Sequence, residues 1–143
     1  MAHLETRTDT GATTRRVLLI KSPQNDPSWR QICHPVGLMC IAAYLRENYR
    51  YEVTIEDIRI SGKDRHGLES AIRAYAPDAV GISALTHESG AVSWIAACVK
   101  RVNPDTPVLL GGPHATAYPE KAIQIPGVDY LVVGEGEIVA GRL

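Results

Sequence analysis

Two short glycine loops carry the residues best placed for ligand chemistry. Gly111-Gly112-Pro113-His114-Ala115-Thr116 follows the apolar run Val108-Leu109-Leu110, and Gly134-Glu135-Gly136-Glu137 follows Leu131-Val132-Val133. Apolar runs of this length read as buried strands, and small residues at their carboxyl ends let a backbone approach a large ligand. The donors would be backbone N–H groups and the Thr116 hydroxyl. A turn that needs glycine only for its dihedral angles, with Pro113 stiffening the exit, accounts for Gly111-Gly112 equally well.

Ser83-Ala84-Leu85-Thr86 follows a third apolar run. One of its hydroxyls suits a helix cap, and the other is left for a ligand amide or phosphate. His114 has the chemistry of a general base, a metal ligand or a packing group, and no carboxylate at a recognisable spacing selects among these. An independent active site built from His114 with Glu135 or Glu137 would match no known spacing. His87-Glu88 lacks the second histidine one turn on that a zinc-protease helix needs, so Glu88 reads as a carboxylate favouring a helix start. No phosphate loop, dinucleotide fingerprint or nucleophile elbow occurs.

These loops need a scaffold, and the hydrophobic pattern supplies one. Val17 to Ile20, Val53 to Ile60, Ala79 to Ser83, Val108 to Leu110 and Tyr130 to Val133 read as strands, most of them continuously apolar, as parallel strands covered on both faces are. Val36 to Asn48 carries Leu38, Ile41, Ala42 and Leu45 at helical spacing, and Leu68, Ile72 and Tyr75 repeat that stripe. Glu88 to Val102 is a third helix ended by Asn103-Pro104, and a short fourth runs from Pro119 to Gln124. Alternation of this kind predicts an α/β fold: a Rossmann-like, flavodoxin-like doubly wound sheet of five parallel strands in the order 2-1-3-4-5. Its crevice falls at the switch point between strands 1 and 3. The helix due after Gly136 is expected to be missing or truncated, leaving an apolar patch on one sheet face.

Composition narrows the partners. In 143 residues, 45% are hydrophobic and 22% charged, and 15 basic against 16 acidic residues leave a net charge of -1. One globular domain over residues 15–143 is expected behind a disordered polar tail at 1–14. No basic field exists to attract nucleic acid, and no apolar stretch suits a membrane span or signal peptide, so a cytoplasmic location is expected. Cys33, Cys40 and Cys98 form neither a disulfide framework nor a CxxxCxxC motif, and Cys98 should lie on a helix face in the core. The long loop after strand 1, Ser22 to Pro35, holds one large apolar group, Trp29, able to stack on a ligand or a neighbouring domain.

In order along the chain, Val17-Leu18-Leu19-Ile20-Lys21-Ser22-Pro23, Pro35-Val36-Gly37-Leu38, Pro77-Asp78-Ala79-Val80-Gly81-Ile82-Ser83, the Gly-Gly-Pro-His-Ala-Thr loop and Gly-Glu-Gly-Glu are combined. This combination closely resembles the N-terminal cobalamin-binding domain of cobalamin-dependent radical SAM enzymes. The resemblance implies a Rossmann-like module holding cobalamin base-off at the strand ends, its nucleotide tail inserted and no protein histidine on the cobalt. Asp64-Arg65-His66-Gly67 accords with that: it has the wrong glycine spacing, and follows the wrong strand, for the Asp-x-His-x-x-Gly signature of a histidine-ligated cobalt. Carried over by position, Ser83, Leu85 and Thr86 would line the tail. Gly111, Gly112, His114, Thr116 and the Gly134-Glu135-Gly136 loop would approach the tail and the corrin edge.

Nothing of the family's radical SAM barrel, with its iron–sulfur cluster, is found in this chain. The expected function is therefore cofactor holding without catalysis by this polypeptide alone. A barrel domain or a sister subunit would lie on the uncovered sheet face. The alternative is a non-catalytic interaction or oligomerisation domain with an empty crevice.

Overall fold

The apolar runs pair into one parallel sheet. In the computed structural model, which describes residues 14–24 and 33–140, the strands are β1 (Arg16–Lys21), β2 (Glu52–Asp57), β3 (Ala79–Ser83), β4 (Val108–Gly111) and β5 (Tyr130–Leu131). Their order is β2-β1-β3-β4-β5, with every neighbouring pair parallel. The expected flavodoxin-like topology is therefore present, with its switch point between β1 and β3. Trp29 and the tail at 1–13 lie outside the described residues.

Helices cover the two faces unequally. α3 (Arg65–Tyr75) and α4 (Ser89–Val102) pack on one face, where Leu68, Ile72, Val92, Ile95 and Val99 meet Leu18, Ile20, Val80, Ile82, Val108 and Leu110. Cys98 lies in this layer, and burial pushes its thiol pKa up, as suits a structural cysteine. The other face has α1 (Val36–Tyr49), whose Leu38, Ala42 and Leu45 cover Leu19 and Val53. That second core serves β1 and β2. The same face of β3, β4 and β5 is left for something else.

Several boundaries differ from the pattern-based expectation. β2 stops at Asp57, because the Asp57 carboxylate accepts the Arg59 N–H at 3.1 Å and opens a helical turn, α2 (Ile58–Ser61), that buries Ile58. Pro113 does more than stiffen a turn: it sits at the start of α5 (Pro113–Ala117), where its fixed φ suits a first helical residue. The expected helix at Pro119 is shorter, α6 (Pro119–Ala122). After β5 a short helix does form, α7 (Gly136–Ala140), packed against α1.

α3 ends at Ala76, a non-glycine residue held at φ 49°, ahead of Pro77. The left-handed conformation crowds a Cβ, whereas glycine adopts it freely. Ala76→Gly is expected to stabilise the domain by about 0.5–1 kcal/mol, read as a higher midpoint in urea at unchanged slope.

Candidate functional site

Where α1 stops covering the sheet, a cavity of about 710 Å³ opens, lined by Leu38, Ile41 and Leu45 of α1, the α1-side faces of β1, β3 and β4, and the loop after β5. The volume falls within the range of small-molecule sites, about 300–1,000 Å³. Its floor is low because of one residue. Gly81 lies in register between Leu19 and Leu109, so a depression runs between two leucines in the middle of the sheet. Ser83, Gly111 and Gly112 continue the lining to the carboxyl edge, and Gly134, Glu135 and Gly136 close it from the β5 side.

At that edge the loops are tied together by hydrogen bonds. The Ala84 N–H donates to the Gly111 carbonyl at 3.3 Å, and the His114 N–H donates to the Ala84 carbonyl at 3.2 Å. Gly112 has φ +90° and ψ -172°, a region open almost only to glycine. A Cβ there would stand 3.0 Å from Ser83 Oγ and 3.2 Å from the Ala84 carbonyl oxygen. The Gly134 N–H donates to Thr116 Oγ1 at 3.1 Å, joining the β4 and β5 loops.

Of the residues singled out from the sequence, Ser83, Gly111, Gly112, Gly134, Glu135 and Gly136 are brought together around one cavity. Leu85, Thr86, His114 and Thr116 sit on the neighbouring strand-end loops, outside its lining. His114 is buried beside the Tyr118 ring, and its Nδ1 meets no partner among the described residues. Among the described residues, no cluster of His, Cys, Asp and Glu is arranged to hold a metal ion.

A polar cluster escaped the sequence reading. Lys21 and Ser22 at the end of β1 meet Glu88, all three buried. Glu88 accepts the Leu85 N–H at 2.8 Å and so caps the 3-10 turn Thr86–Glu88 that leads into α4, whereas α4 itself, starting at Ser89, has no side-chain cap from it. Its pairing with Lys21 spans 67 residues, a separation no local pattern reveals. The one available signal was Lys21 itself, a charge on the same side of the strand as Val17 and Leu19. Just past β2, Arg59 of α2 donates to both oxygens of Asp57 at 2.6–2.9 Å and to the Cys33 carbonyl at 2.9 Å, tying down the segment that leads into α1. The Asp57 hydrogen bond holds the Arg59 pKa above its ordinary value, against the opposing effect of burial.

Fold and crevice together define a doubly wound α/β domain with an open cavity that reaches the carboxyl ends of its strands. Its residues 28–143 match the model of the B12 binding domain family, and the chain belongs to that family. It is 32% identical over 113 residues to an uncharacterized methyltransferase of Pyrococcus horikoshii, covering 76% of this chain and 24% of that protein. It is 32% identical over 123 residues to the cytidylyl-2-hydroxyethylphosphonate methyltransferase of Streptomyces wedmorensis, covering 73% and 23%. The chain thus spans about a quarter of the length of these relatives. Among solved structures, the radical S-adenosylmethionine methyltransferase TsrM of Kitasatospora setae, with cobalamin and a [4Fe-4S] cluster bound, superposes with a TM-score of 0.76. That similarity comes at 23% identity over 91% of this chain and 26% of TsrM, and shows a shared fold.

Proposed function

We propose that this chain is a cobalamin-holding module, with the nucleotide tail of the cofactor in the cavity on the α1 side and the corrin ring over the carboxyl edge of the sheet. The cavity floored by Gly81 carries this reading, since it is mainly apolar and runs along the sheet face from Arg15 and Asp78 at the amino edge to Gly111, Gly112 and Gly134 at the carboxyl edge. Whole cobalamin exceeds such a volume, whereas its benzimidazole arm does not. The residues fit the group: a side chain at Gly112 would collide with the strand-end backbone, and buried His114 has a nitrogen that meets no partner among the described residues, beside the same loops.

In this reading Ser83, Gly111, Gly112 and the Gly134-Glu135-Gly136 loop contact the tail. Leu85 and Thr86, expected from the sequence to line the tail, lie outside the cavity and are assigned here with His114 and Thr116 to the corrin side. The loop after β1, Ser22 to Pro35, carries one histidine, His34, with Ile32 where the Asp-x-His-x-x-Gly signature has its aspartate, which supports a lower cobalt face free of a protein ligand. What cobalamin supplies when bound is a cobalt centre able to carry a methyl group; the chain supplies binding, orientation and exclusion of water. The methyltransferase relatives, about three times its length, support a role inside a larger radical SAM assembly, whose barrel would cover exposed Tyr130 and Val133. The cysteines here form no CxxxCxxC, so an iron–sulfur cluster would belong to that other part. Among the described residues, no helix is long and apolar enough to cross a membrane.

The test is direct uptake. After incubation with hydroxocobalamin and desalting, the corrin absorbance is expected to elute with the protein, and dialysis against excess cobalamin should give saturable binding. Elution of all the corrin in the small-molecule fraction would overturn the proposal.

A further inference from the structure

We infer that Glu88 is the positioning residue of the crevice: its buried carboxylate holds the strand-end loops after β1, β3 and β4 in one hydrogen-bonded frame. The inference takes its ligand from the cobalamin reading but its geometry from a cluster outside the cavity. Glu88 is 0% exposed, and Lys21 and Ser22 beside it are also buried. Its Oε2 accepts from the Lys21 ammonium, from Ser22 Oγ at 2.9 Å and from the Leu85 N–H at 2.8 Å. Its Oε1 is buried and meets no donor among the described residues.

Stability alone is a poor explanation for such an arrangement. Removing a carboxylate and an ammonium from water is costly, and their attraction recovers that cost only when the remaining lone pairs are also satisfied. Among the described residues one oxygen is crowded with donors and the other has none. An apolar pair of similar volume would hold the sheet edge at least as firmly. It could not aim a loop, because packing is non-directional whereas hydrogen bonds to a carboxylate fix the donors that converge on it.

The frame extends from that one atom. Ser22 reaches the Ser83 carbonyl through its N–H at 3.1 Å, and its single hydroxyl proton serves either that carbonyl or Glu88. Leu85, pinned by Glu88, follows Ala84, whose N–H and carbonyl bond Gly111 and His114. Gly112 rests against Ser83 and Ala84, and Thr116 passes the restraint to Gly134. A shift of Leu85 therefore moves the loops that border the cavity, although Glu88 does not line it.

Two double variants separate this role from simple stabilisation. Lys21→Met/Glu88→Gln exchanges both charges for neutral groups of similar size and keeps an acceptor; Lys21→Met/Glu88→Leu removes the acceptor as well. Thermal unfolding of the Gln variant is expected within about 5 °C of the parent, because both halves of the ion pair are removed together. Amide exchange measured by NMR should nonetheless speed up at Leu85, Ala84 and His114 together, by about tenfold, as a neutral acceptor replaces a charged one. The Leu variant should show a larger effect. Hydroxocobalamin affinity should fall by about tenfold in the Gln variant, in parallel with the exchange.

An exchange change confined to Leu85, or loosened loops with undiminished affinity, would overturn the inference. Should the Leu variant not fold, the Gln variant decides alone. A parent protein that takes up no hydroxocobalamin would defeat the function proposed above, and the exchange pattern would still decide whether Glu88 sets the frame.

Discussion

Gly112→Val is expected to abolish hydroxocobalamin retention and to lower the thermal midpoint by about 10 °C or more. Two costs combine. At φ +90° and ψ -172° the backbone occupies a region that a β-branched residue avoids, a strain of about 1–3 kcal/mol. The new Cβ also meets Ser83 Oγ at 3.0 Å and the backbone of Ala84 at 3.2 Å and 3.3 Å. A backbone neighbour cannot swing aside as a side-chain tip can, so overpacking adds a further cost of about 1–3 kcal/mol. Relief requires moving the β4 loop away from β3, which breaks the His114 to Ala84 bond and opens the mouth of the cavity. Differential scanning calorimetry and desalting with the corrin check the two halves separately. A Gly112→Val protein that melts with the parent and retains cobalamin would show that neither the dihedral nor the close approach matters.

The second large effect is expected at Gly81, where the fold should survive and the ligand should not. A Cβ at this position would meet only Leu19 Cδ2, at 2.9 Å, the end of a side chain that can change rotamer. Valine also has high strand propensity, so Gly81→Val is expected to leave the thermal midpoint within about 5 °C of the parent. Its branched side chain would occupy the depression between Leu19 and Leu109, the floor of the cavity. An inserted tail would then lose its seat, and the affinity for hydroxocobalamin should fall by about 100-fold or more, as for a clash with no room to relax. Cobinamide, which lacks the nucleotide base, supplies the control. The variant should bind it as the parent does, and equal loss of both ligands would mean that the tail does not enter here.

These two glycines differ in how visible they were beforehand. Gly112 announces itself in the sequence: a glycine pair directly after an apolar run, followed by proline, marks a backbone that must turn sharply at a strand end. Gly81 does not, because Ala79-Val80-Gly81-Ile82-Ser83 reads as an ordinary strand, and a lone glycine inside it is compatible with a bulge or a close approach. Only the register, which sets it between Leu19 and Leu109, makes it the floor of a cavity. The same contrast holds for the carboxylates. Glu88 was legible as the start of a helix because that role is local, and its bond to Leu85 three residues away is of that kind. Its partnership with Lys21 was not, since the two meet only when β1 and β3 lie side by side.

The sequence by itself determined the order and type of the main strands and helices and the parallel five-stranded sheet with its 2-1-3-4-5 topology, though not the short helices α2 and α5, and it pointed to the strand-end loops as the place to look for a ligand. It could do so because hydrophobic periodicity, turn residues and right-handed crossovers are properties of short segments and of their succession. Tertiary structure decided which face of the sheet stays open, that Ser83, Gly111, Gly112 and the Gly134 loop share one cavity while Leu85, Thr86, His114 and Thr116 border it, and that a buried Lys21–Glu88 pair underlies them. Those facts depend on side chains brought together across strands, and no window along the chain contains both partners of such a contact.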